Sequence, residues 1–453
     1  MRIKVCKFGG SSVASAEQIK KVINIITSEV DRRVVVVSAP GKRFSADTKV
    51  TDMLIALANC VLEGRSTDDA VAAILDRFES IRAELDLSQS LMATVETELK
   101  KRISLPTTNP GAFMDGVKAL GEEFSARFCA EAFTKQGYPA VYADPKEAGM
   151  LLSDEYGNAQ LLPESMALLH DYLSSIKEIV IFPGFYGYTR SGSVVTFSRG
   201  GSDITGAILA AAIHADVYEN FTDVDSVYPV DPRIVPEVKE GIKEMTFREM
   251  RELSYAGFGV FHDEAIMPAV RAGIPINIRN TNRPEEPGTM VVPRRKTIPG
   301  RVIGLACATG FGTLYTSKYM MNREVGFGVK LLTILAEEGV SFETIPAGVD
   351  NMSVIIRDAQ FTEEVKAKVF ARIHTELKVD ELAYEGGLAI VMAVGEGMRG
   401  TTGVAARIMS AFAKADVSVE MINQGSSEIS MMFGIRSTSL KTAVRALYQD
   451  LFQ

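Results

Sequence analysis

The sequence predicts an α/β protein: a mostly parallel sheet with helices on both faces, followed by two smaller α+β modules. Short, continuously apolar strand candidates alternate with helical segments from residue 1 to about residue 280, a pattern typical of parallel sheets covered on both sides. Residues 281–300 are rich in Pro, Gly and charge and predict a linker. Beyond it, residues 326–345 align without gaps on residues 403–422, and such a repeat indicates two duplicated modules.

The strands of the larger part are predicted from runs of β-branched and aromatic residues. In chain order they lie around Ile3 and Val5 and at residues 34–37, 140–142, 178–182, 194–197, 216–221 and 275–278. Helical patterns lie between them, near residues 50–63, 67–102, 114–135, 162–175, 202–214, 246–254 and 262–271. Because ligands bind at the carboxyl ends of strands in such sheets, we expect Lys7, Ser38 and Thr222 to converge on one crevice.

Each copy of the repeat predicts a helix, a strand, a turn and a second strand. A further strand precedes each copy, at residues 313–316 and 388–394. The pattern predicts one module at about residues 312–380 and another at about residues 381–453. We expect strand 302–306 to join the second module, with the first module inserted inside it.

Length and composition exclude several classes of protein. A chain of 453 residues is too long for one core and predicts two to four domains. A net charge of −8 without a basic block excludes the electrostatic footprint of a nucleic-acid or anionic-membrane binder. Apolar runs fall short of the roughly 20 residues that span a bilayer, and the direct start in a strand predicts no signal peptide. Four scattered cysteines predict reduced thiols in a cytoplasmic protein, not a disulfide framework or zinc site.

The segment Lys7-Phe8-Gly9-Gly10-Ser11-Ser12 closes the first strand and precedes a helix that begins near Ser15. Adjacent glycines let the backbone approach a ligand closely, and the amide groups at a helix start favour a phosphate. Lys7 adds a positive charge at the same place. The chain has no G-x-x-x-x-G-K-[ST] motif, so this is not the usual phosphate loop. A tight turn beside an incidental lysine is the alternative.

A second glycine pair lies in Ser198-Arg199-Gly200-Gly201-Ser202-Asp203, between a strand and an Ala-rich helix. Arg199 can grip a carboxylate or phosphate with two parallel hydrogen bonds. Asp203 is either a functional carboxylate or a helix-start residue favoured by the helix dipole. Capping alone leaves Arg199 and both glycines unexplained.

A third glycine motif matches the dinucleotide-binding fingerprint, but its context argues against that function. Residues 395–400 read G-x-G-x-x-G after a strand, and Glu420 follows about 20 residues later, as the fingerprint requires. However, the segment up to Gln453 is too short to complete a doubly wound sheet, and the first copy of the repeat lacks these glycines at the same spacing. Nicotinamide binding is therefore disfavoured.

Taken together, the motifs resemble the aspartate kinase family, a branch of the amino acid kinase superfamily. The matching segments are residues 7–13, 36–39, 199–203 and 222–224, with Tyr228 and residues 231–233. Their order and spacing extend over about the first 300 residues, and the tandem repeat is similar to the paired ACT regulatory domains of these enzymes. The resemblance implies a three-layer amino acid kinase domain at residues 1–280 and a regulatory region of two ferredoxin-like ACT modules at residues 301–453.

The resemblance also implies a reaction: transfer of the γ-phosphoryl group of ATP, carried with Mg²⁺, to the side-chain carboxylate of L-aspartate. Lys7 and Asp203 would serve the transferring phosphoryl group, with Asp203 orienting Lys7. The residues implied for the nucleotide are Lys7, Gly9, Gly10, Ser11, Thr222, Asp223, Tyr228 and Arg233. The residues implied for aspartate are Arg199, Ser38, Thr51, Glu122 and Ser202. Arg199 would grip a carboxylate of aspartate, and Glu122 would meet its ammonium group; a solvated helix glutamate is the alternative for Glu122.

Two departures from the family pattern affect the expected contacts. Many members have a Gly-Ala-Lys-Val-Leu-His-Pro segment, whereas residues 257–263 read Gly-Phe-Gly-Val-Phe-His-Asp. The nucleotide-contacting lysine is thus replaced by Gly259, and His262 is expected to be structural. In addition, a longer loop, residues 41–49, separates Ser38 from Thr51.

In the regulatory region the resemblance implies an amino-acid effector site, commonly for lysine or threonine. Met321, Gly326, Gly328 and Glu343 would line it, and Glu343 would receive the effector ammonium. Pairing of such modules between chains implies a homodimer or a dimer of dimers. The expected role is feedback-inhibited aspartate phosphorylation, the first step of lysine, threonine and methionine biosynthesis. A non-catalytic amino-acid sensor with a degenerate kinase lobe is the alternative, which Gly259 favours and the retained Lys7, Arg199 and Asp203 oppose.

Overall fold

The computed structural model describes residues 2–255, 257 and 263–453, with the side chains of 263 and 264 left aside. The chain divides into two compact units. The first comprises Met1–Val227, Gly241–Phe247 and Val260–Arg295, and the second comprises Tyr228–Glu240, Arg248–Gly259 and Lys296–Gln453. The composition of the sequence indicates only one boundary, at residues 281–300. It gives no sign that the earlier segments Tyr228–Glu240 and Arg248–Gly259 belong to the second unit.

The first unit is built on an eight-stranded sheet with the strand order β3-β4-β2-β1-β7-β9-β10-β8. The strands of the first unit, with the separate hairpin β5–β6, are β1 (Lys4–Phe8), β2 (Arg32–Val37), β3 (Ala140–Tyr142), β4 (Ile179–Pro183), β5 (Tyr186–Tyr188), β6 (Val194–Thr196), β7 (Val217–Thr222), β8 (Glu244–Thr246), β9 (Ile276–Asn280) and β10 (Thr289–Val292). Every neighbouring pair in the large sheet is parallel except β9 with β10. The mostly parallel α/β architecture is therefore confirmed.

Helices cover both faces of this sheet. They are α1 (Ala16–Thr27), α2 (Val50–Leu62), α3 (Asp68–Leu85), α4 (Gln89–Ile103), α5 (Pro110–Lys118), α6 (Leu120–Lys135), α7 (Ser165–Ser175), α8 (Gly201–Ala212) and α10 (Met267–Arg271). Helix α9 (Phe247–Tyr255) belongs to the second unit except for its first residue. The core between α1–α6 and the sheet takes Phe8, Val37 and Phe221 from one face. Side chains alternate along a strand, so Lys7 and Asn220 face the other side, where Gly206 of α8 packs on Tyr218.

Some predicted boundaries differ from those in the structure. The single helix predicted at residues 67–102 is two helices, because the chain turns at Asp86, whose φ of 52° is left-handed. The helix predicted at residues 114–135 is likewise divided between α5 and α6. Strand β10 lies within residues 281–300, the predicted linker, and pairs with both β9 and β8. Its four residues lie in a Pro- and Gly-rich context that masks the strand pattern.

The second unit contains a five-stranded antiparallel sheet with the order β12-β11-β13-β15-β14. Its elements are β11 (Gly304–Ser317), α11 (Phe327–Glu337), β12 (Asn351–Arg357), α12 (Glu363–Arg372), β13 (Glu381–Val394), α13 (Val404–Lys414), β14 (Val419–Asn423), β15 (Ser430–Arg436) and α14 (Leu440–Phe452). The two 14-residue strands, β11 and β13, pair with each other along their length. Residues 304–309 pair with residues 389–394, whereas residues 313–317 pair with residues 381–385 and with β12.

Two separate cores lie in this unit, one in each copy of the repeat. Leu331, Ile334 and Val354 belong to the first core, and Ile408, Phe412 and Phe433 belong to the second. The copies differ in one strand: β14 is a full strand, whereas residues 344 and 347 form only isolated bridges to β12.

The glycines of the G-x-G-x-x-G segment have a packing role. A Cβ at Gly397 would lie 2.1 Å from the carbonyl oxygen of Ile298, and one at Gly395 would lie 2.5 Å from that of Arg301. Residues 298–303 thus pass directly against this turn, which requires glycine. In the parts of the chain that are described, none of the helices has the length and apolar content needed to cross a membrane.

Candidate active site

Lys7 lies near the carboxyl end of the central strand β1, and its side chain is largely buried. Its Nζ lies 2.7 Å from Oδ1 of Asp203, in the first turn of α8. The same Oδ1 accepts a hydrogen bond of 2.6 Å from the Asn220 side-chain amide. Lys7 and Asn220 are register partners on β1 and β7, so the sheet itself brings this cation, carboxylate and amide together.

The turn after β1 brings two chain segments unusually close. The Gly41 amide donates a 2.8 Å hydrogen bond to the Gly10 carbonyl. A Cβ on Gly41 would lie 2.6 Å from the carbonyl carbon of Gly10. Gly9 also lines the cavity, and a Cβ there would lie 3.7 Å from the Lys7 ammonium, at an ordinary contact distance. A short 3₁₀ helix, Gly10–Val13, lies between the turn and α1, and Ser15 caps the start of α1, where the sequence predicts the helix to begin.

Helix α8 positions Asp203 and Ser202. Gly200 begins the helix with a φ of 77°, a left-handed conformation that glycine adopts readily. A Cβ on Gly184 would lie 2.6 Å from Cβ of Ser202, so the end of β4 and the start of α8 are in close contact. The left-handed Gly200 and the close contact at Gly184 therefore fix the position of the first turn of α8, which carries Asp203. Capping is not the sole role of Asp203, since its carboxylate pairs with Lys7 and Asn220.

Glu122 is buried in α6 and faces the same cavity as Lys7. Burial raises its pKa to about 8, although the backbone of Ala39, its own backbone and the charge of Lys118 oppose the shift. Its Oε2 has no hydrogen-bond partner among the described residues. A buried carboxylate oxygen left without a partner is costly. The solvated-glutamate alternative is therefore wrong, and the side chain is suited to receive a cationic group.

A cavity of about 650 Å³ brings most of the predicted residues together. Its lining includes Lys7, Gly9, Gly10, Ser11, Ser38, Thr51, Glu122, Ser202, Asp203, Thr222 and Asp223. Ser38 follows β2, Thr51 lies in the first turn of α2, and Thr222 ends β7. The expected convergence at the carboxyl ends of strands is present in the structure.

Three predicted residues lie elsewhere. Arg199 is exposed, lies outside the residues that line the cavity, and has no ion pair or hydrogen-bond partner among the described residues. Tyr228 and Arg233 belong to the second unit. There Tyr228 packs against the core of the second module, and Arg233 pairs with Asp231 at 2.7 Å. Their nucleotide contacts stay predictions. Gly259 and His262 lie outside the described residues.

Sequence reasoning missed the loop between Gly41 and Lys49 as part of the site. Lys42, Phe44, Ser45 and Lys49 all line the cavity. The loop departs from the family pattern, and that departure is the signal by which it could have been found. Asn220 was also missed, because its role depends on register with Lys7 and not on a local motif.

Comparison with known proteins places this site in a family. Residues 2–280 match the amino acid kinase family, and residues 391–451 match the ACT domain. Over 450 residues, covering 99% of each chain, the sequence is 50% identical to aspartokinase 3 of Bacillus subtilis. The chain belongs to the aspartate kinases of the amino acid kinase family. The family resemblance predicted from the motifs is confirmed.

Solved structures of aspartate kinases have the same fold. The enzyme of Clostridium acetobutylicum matches with a TM-score of 0.86 and 36% identity over 100% of both chains. Aspartokinase III of Escherichia coli, at 26% identity and 100% coverage of both chains, matches with TM-scores of 0.76 in complex with lysine and aspartate and 0.74 in complex with aspartate and ADP. Those ligands are properties of the Escherichia coli protein.

In the regulatory region, the predicted effector residues are found around the start of α11. Met321 is buried, Gly326 begins the helix with a φ of 85°, and a Cβ on Gly328 would lie 3.3 Å from the Met352 methyl carbon. The matching positions of the second copy line a cavity of about 510 Å³. Those positions are Met398, Gly403 and Ala405.

Glu343 is not a free carboxylate. Its Oε1 lies 2.8 Å from Nε of Arg357, and its side chain is 11% exposed. Burial and a hydrogen bond to Glu343 raise the pKa of the Tyr255 hydroxyl. In the second copy Glu420 pairs in the same way with Arg436. The role of Glu343 in binding an effector stays a prediction.

Proposed function

We propose that the chain transfers the γ-phosphoryl group of ATP to the side-chain carboxylate of L-aspartate, giving 4-phospho-L-aspartate and ADP. The observation that carries the proposal is the cavity in which the Lys7–Asp203 pair and the buried Glu122 lie together. One end thus offers a fixed cation for a phosphoryl group, and another offers a carboxylate for an ammonium group. A small amino acid meets both requirements if its ammonium group pairs with the carboxylate and its side-chain carboxylate accepts the phosphoryl group.

In the proposed reaction, a side-chain carboxylate oxygen of aspartate forms a bond to the γ-phosphorus, and the bond from that phosphorus to the β–γ bridging oxygen breaks. Such transfer depends mainly on positioning and charge neutralisation. Lys7 supplies positive charge where the moving oxygens lie. Asp203 and Asn220 hold Lys7 in place through contacts of 2.7 and 2.6 Å around one carboxylate oxygen.

The nucleotide phosphates would lie against Gly9, Gly10 and Ser11, with Thr222 and Asp223 across the cavity. A Cβ on Gly9 would occupy space beside the Lys7 ammonium, which fits a phosphate cradle. Among the described residues, no group of three or more His, Cys, Asp or Glu side chains could hold a metal ion. Mg²⁺ would accordingly arrive on the ATP phosphates, where it neutralises part of their charge.

Aspartate would lie on the side of Ser38, Thr51, Ser202 and Glu122. Its ammonium group would pair with Glu122, which compensates the burial of that carboxylate. The exposed Arg199 stays a proposed partner of a substrate carboxylate only if its side chain turns toward the cavity when aspartate binds. The Escherichia coli relative solved with aspartate and ADP supports both ligand classes.

A turnover assay tests the proposal. Purified protein with MgATP and aspartate should release ADP in a coupled assay, and hydroxylamine should trap the acyl phosphate as a hydroxamate. Glutamate in place of aspartate serves as the matched control. Equal or greater turnover with glutamate, or ATP hydrolysis without hydroxamate, would contradict the assignment. Binding of lysine or threonine without any turnover would favour the sensor alternative.

Regulation is proposed on the same basis. Lysine or threonine would bind in the ACT region, supported by the cavity at the repeat positions of Met321 and Gly326 and by the lysine-bound relative. The chain would act at the first step of lysine, threonine and methionine biosynthesis. It would form a homodimer or a dimer of dimers through its ACT modules, in the cytoplasm, as its four unpaired cysteines favour. Inhibition curves with each amino acid, and light scattering with and without it, test these points.

A further inference from the structure

The chain leaves β9 and enters the predicted linker at Asn280 and Thr281, and both residues are buried in the first unit. Asn280 is the last residue of β9 and the register partner of Thr222, the last residue of β7. Thr222 lines the cavity that contains Lys7. The start of the predicted linker is therefore fixed at the carboxyl edge of the sheet, directly beside the candidate site.

Thr281 joins two turns of the cavity. Its hydroxyl shares a 2.6 Å hydrogen bond with the buried hydroxyl of Ser12, and its amide donates a 2.9 Å hydrogen bond to the Thr222 carbonyl. Ser12 belongs to the same 3₁₀ helix as Gly10 and Ser11, which line the cavity. Among the described residues neither hydroxyl has another hydrogen-bond partner. Removal of either hydroxyl would thus leave the other one buried and unpaired.

Asn280 holds the loop that follows β7. Its side-chain amide donates a 2.7 Å hydrogen bond to Oδ1 of Asp225 and a longer one, of 3.4 Å, to the Asp223 carbonyl. Arg283 donates a 2.6 Å hydrogen bond to the other carboxylate oxygen of Asp225. The Asn282 amide donates a 2.8 Å hydrogen bond to Oδ1 of Asn280, which fixes the side chain. Asp225 is therefore held at both oxygens, two residues beyond Asp223, which lines the cavity.

We propose that Thr281 and Asn280 are positioning residues for the nucleotide. Thr281 fixes the turn of residues 9–12 relative to Thr222, and Asn280 fixes residues 223–225. The inference rests on the proposed function for one point, that the ATP phosphates lie between these two turns. Neither Thr281 nor Asn280 lines the cavity, so both act through the groups that they hold and not by contact with ATP.

The test is T281V, which keeps the side-chain shape and removes the hydroxyl. We expect the KM for MgATP to rise at least fivefold, because the Ser12 turn loses its partner, while the KM for aspartate stays within twofold and kcat within threefold of wild type. T281S should return the KM for MgATP to within twofold of wild type. T189V is the matched control and should change neither KM, since the buried Thr189 pairs with a serine hydroxyl 2.8 Å away, that of Ser191, outside the cavity lining. A KM for MgATP within twofold of wild type in T281V overturns the proposal.

A double-variant cycle tests whether the two hydroxyls act through one hydrogen bond. S12A should raise the KM for MgATP by at least fivefold, as T281V does. The double variant S12A/T281V should raise it by no more than about the larger single effect, because both changes remove the same interaction. Single effects that multiply in the double variant would contradict the Ser12–Thr281 hydrogen bond as the cause.

For Asn280 the test is N280D, which places a carboxylate against that of Asp225 in place of a donating amide. Calorimetry with MgADP should give a Kd at least fivefold weaker than that of wild type, because the two like charges repel. The exchanged pair N280D/D225N again sets an amide opposite a carboxylate and should bind MgADP at least threefold more tightly than N280D. An unchanged Kd in N280D, or no recovery in the exchanged pair, removes the role of Asn280.

Calorimetry with MgADP also separates this inference from the proposed function, because it requires no turnover. If wild type binds MgADP and T281V weakens that binding at least fivefold, but no hydroxamate forms with aspartate, the proposed function fails and the inference stands. If wild type phosphorylates aspartate, while T281V leaves both the Kd for MgADP and the KM for MgATP unchanged, the inference fails and the proposed function stands.

Discussion

Replacing Glu122 by Gln removes the charge that we assign to the ammonium of aspartate, and the raised pKa of Glu122 makes that role measurable. With a pKa of about 8, roughly 1% of the carboxyl is ionised at pH 6, roughly 9% at pH 7 and roughly 50% at pH 8. Only the ionised form pairs with an ammonium group. Binding of aspartate therefore releases a proton, and its KM should fall about 50-fold from pH 6 to pH 8.

Initial rates at saturating MgATP and varied aspartate, at pH 6, 7 and 8, measure this dependence. The KM for ATP at each pH is the internal control and should change by less than about threefold. E122Q should raise the aspartate KM at pH 8 at least tenfold, an amount equal to about 1.4 kcal/mol, and its KM should no longer depend on pH. A wild-type aspartate KM that is flat over this range would refute the reasoning.

The same carboxyl gives a stability prediction whose sign is the reverse of that for a paired acid. The folded-state pKa of about 8 lies above the ordinary 4.5, so between these values the folded protein keeps a proton that the unfolded chain has released. The free energy of unfolding should accordingly fall as pH rises through this window, by roughly 3 kcal/mol at pH 7. Urea unfolding of E122Q, compared with wild type, should show a gain of roughly 4 kcal/mol at pH 8 and of less than about 1 kcal/mol at pH 5.

Three further predictions concern other parts of the first unit. Lys7→Met should lower kcat by on the order of 10²–10³ while circular dichroism stays that of wild type; turnover within tenfold of wild type would remove Lys7 from the chemistry. Gly41→Ala should cost about 1–3 kcal/mol in urea unfolding, because its Cβ would lie 2.6 Å from the carbonyl carbon of Gly10. Glu219→Gln should cost about 3–5 kcal/mol, because it removes the buried carboxylate 2.6 Å from Arg32 and leaves that buried guanidinium only the more exposed Glu29 as an ion-pair partner. Burial alone would raise the pKa of Glu219, but Arg32 lowers it below its ordinary value. The stabilisation by the Glu219–Arg32 pair is therefore present above the ordinary pKa of a glutamate and is lost as pH falls through the lowered pKa. Equal wild-type and variant stabilities at neutral pH would contradict the assignment.

The sequence predicted most of the central sheet because its strands are buried on both faces and must be continuously apolar. The strand at residues 34–37 is the clearest case, and the structure extends it only to Arg32–Val37. Strands β8 and β10 escaped prediction because neither stands out as an apolar run: β8 is the short Glu-Met-Thr segment, and β10 lies in a Pro- and Gly-rich context. The break at Asp86 also escaped, since a left-handed aspartate carries none of the usual Gly or Pro signal.

For the site, local motifs identified the residues but not their distances. Lys7 and Asp203 were predicted from two glycine-containing turns, and their 2.7 Å ion pair follows from the strand order that brings β1 beside β7 and under α8. Arg199 was expected in the cavity, yet its side chain is exposed. The sequence could not predict this, because no sequence pattern fixes the rotamer of a residue beside a left-handed glycine. Glu343 was expected to receive an effector ammonium, and its pairing with Arg357 was not predicted because it depends on how the chain folds.

Strands β11 and β13 each extend through both copies of the repeat and pair with each other in both, with register shifts between Thr309 and Thr313. Because the same two strands belong to both copies, a displacement in one copy acts directly on the backbone of the other. A small molecule bound beside helix α11 or helix α13 would consequently act on the same pair of strands, β11 and β13. The two modules thus share one sheet, and each offers one helix beside which a ligand could bind.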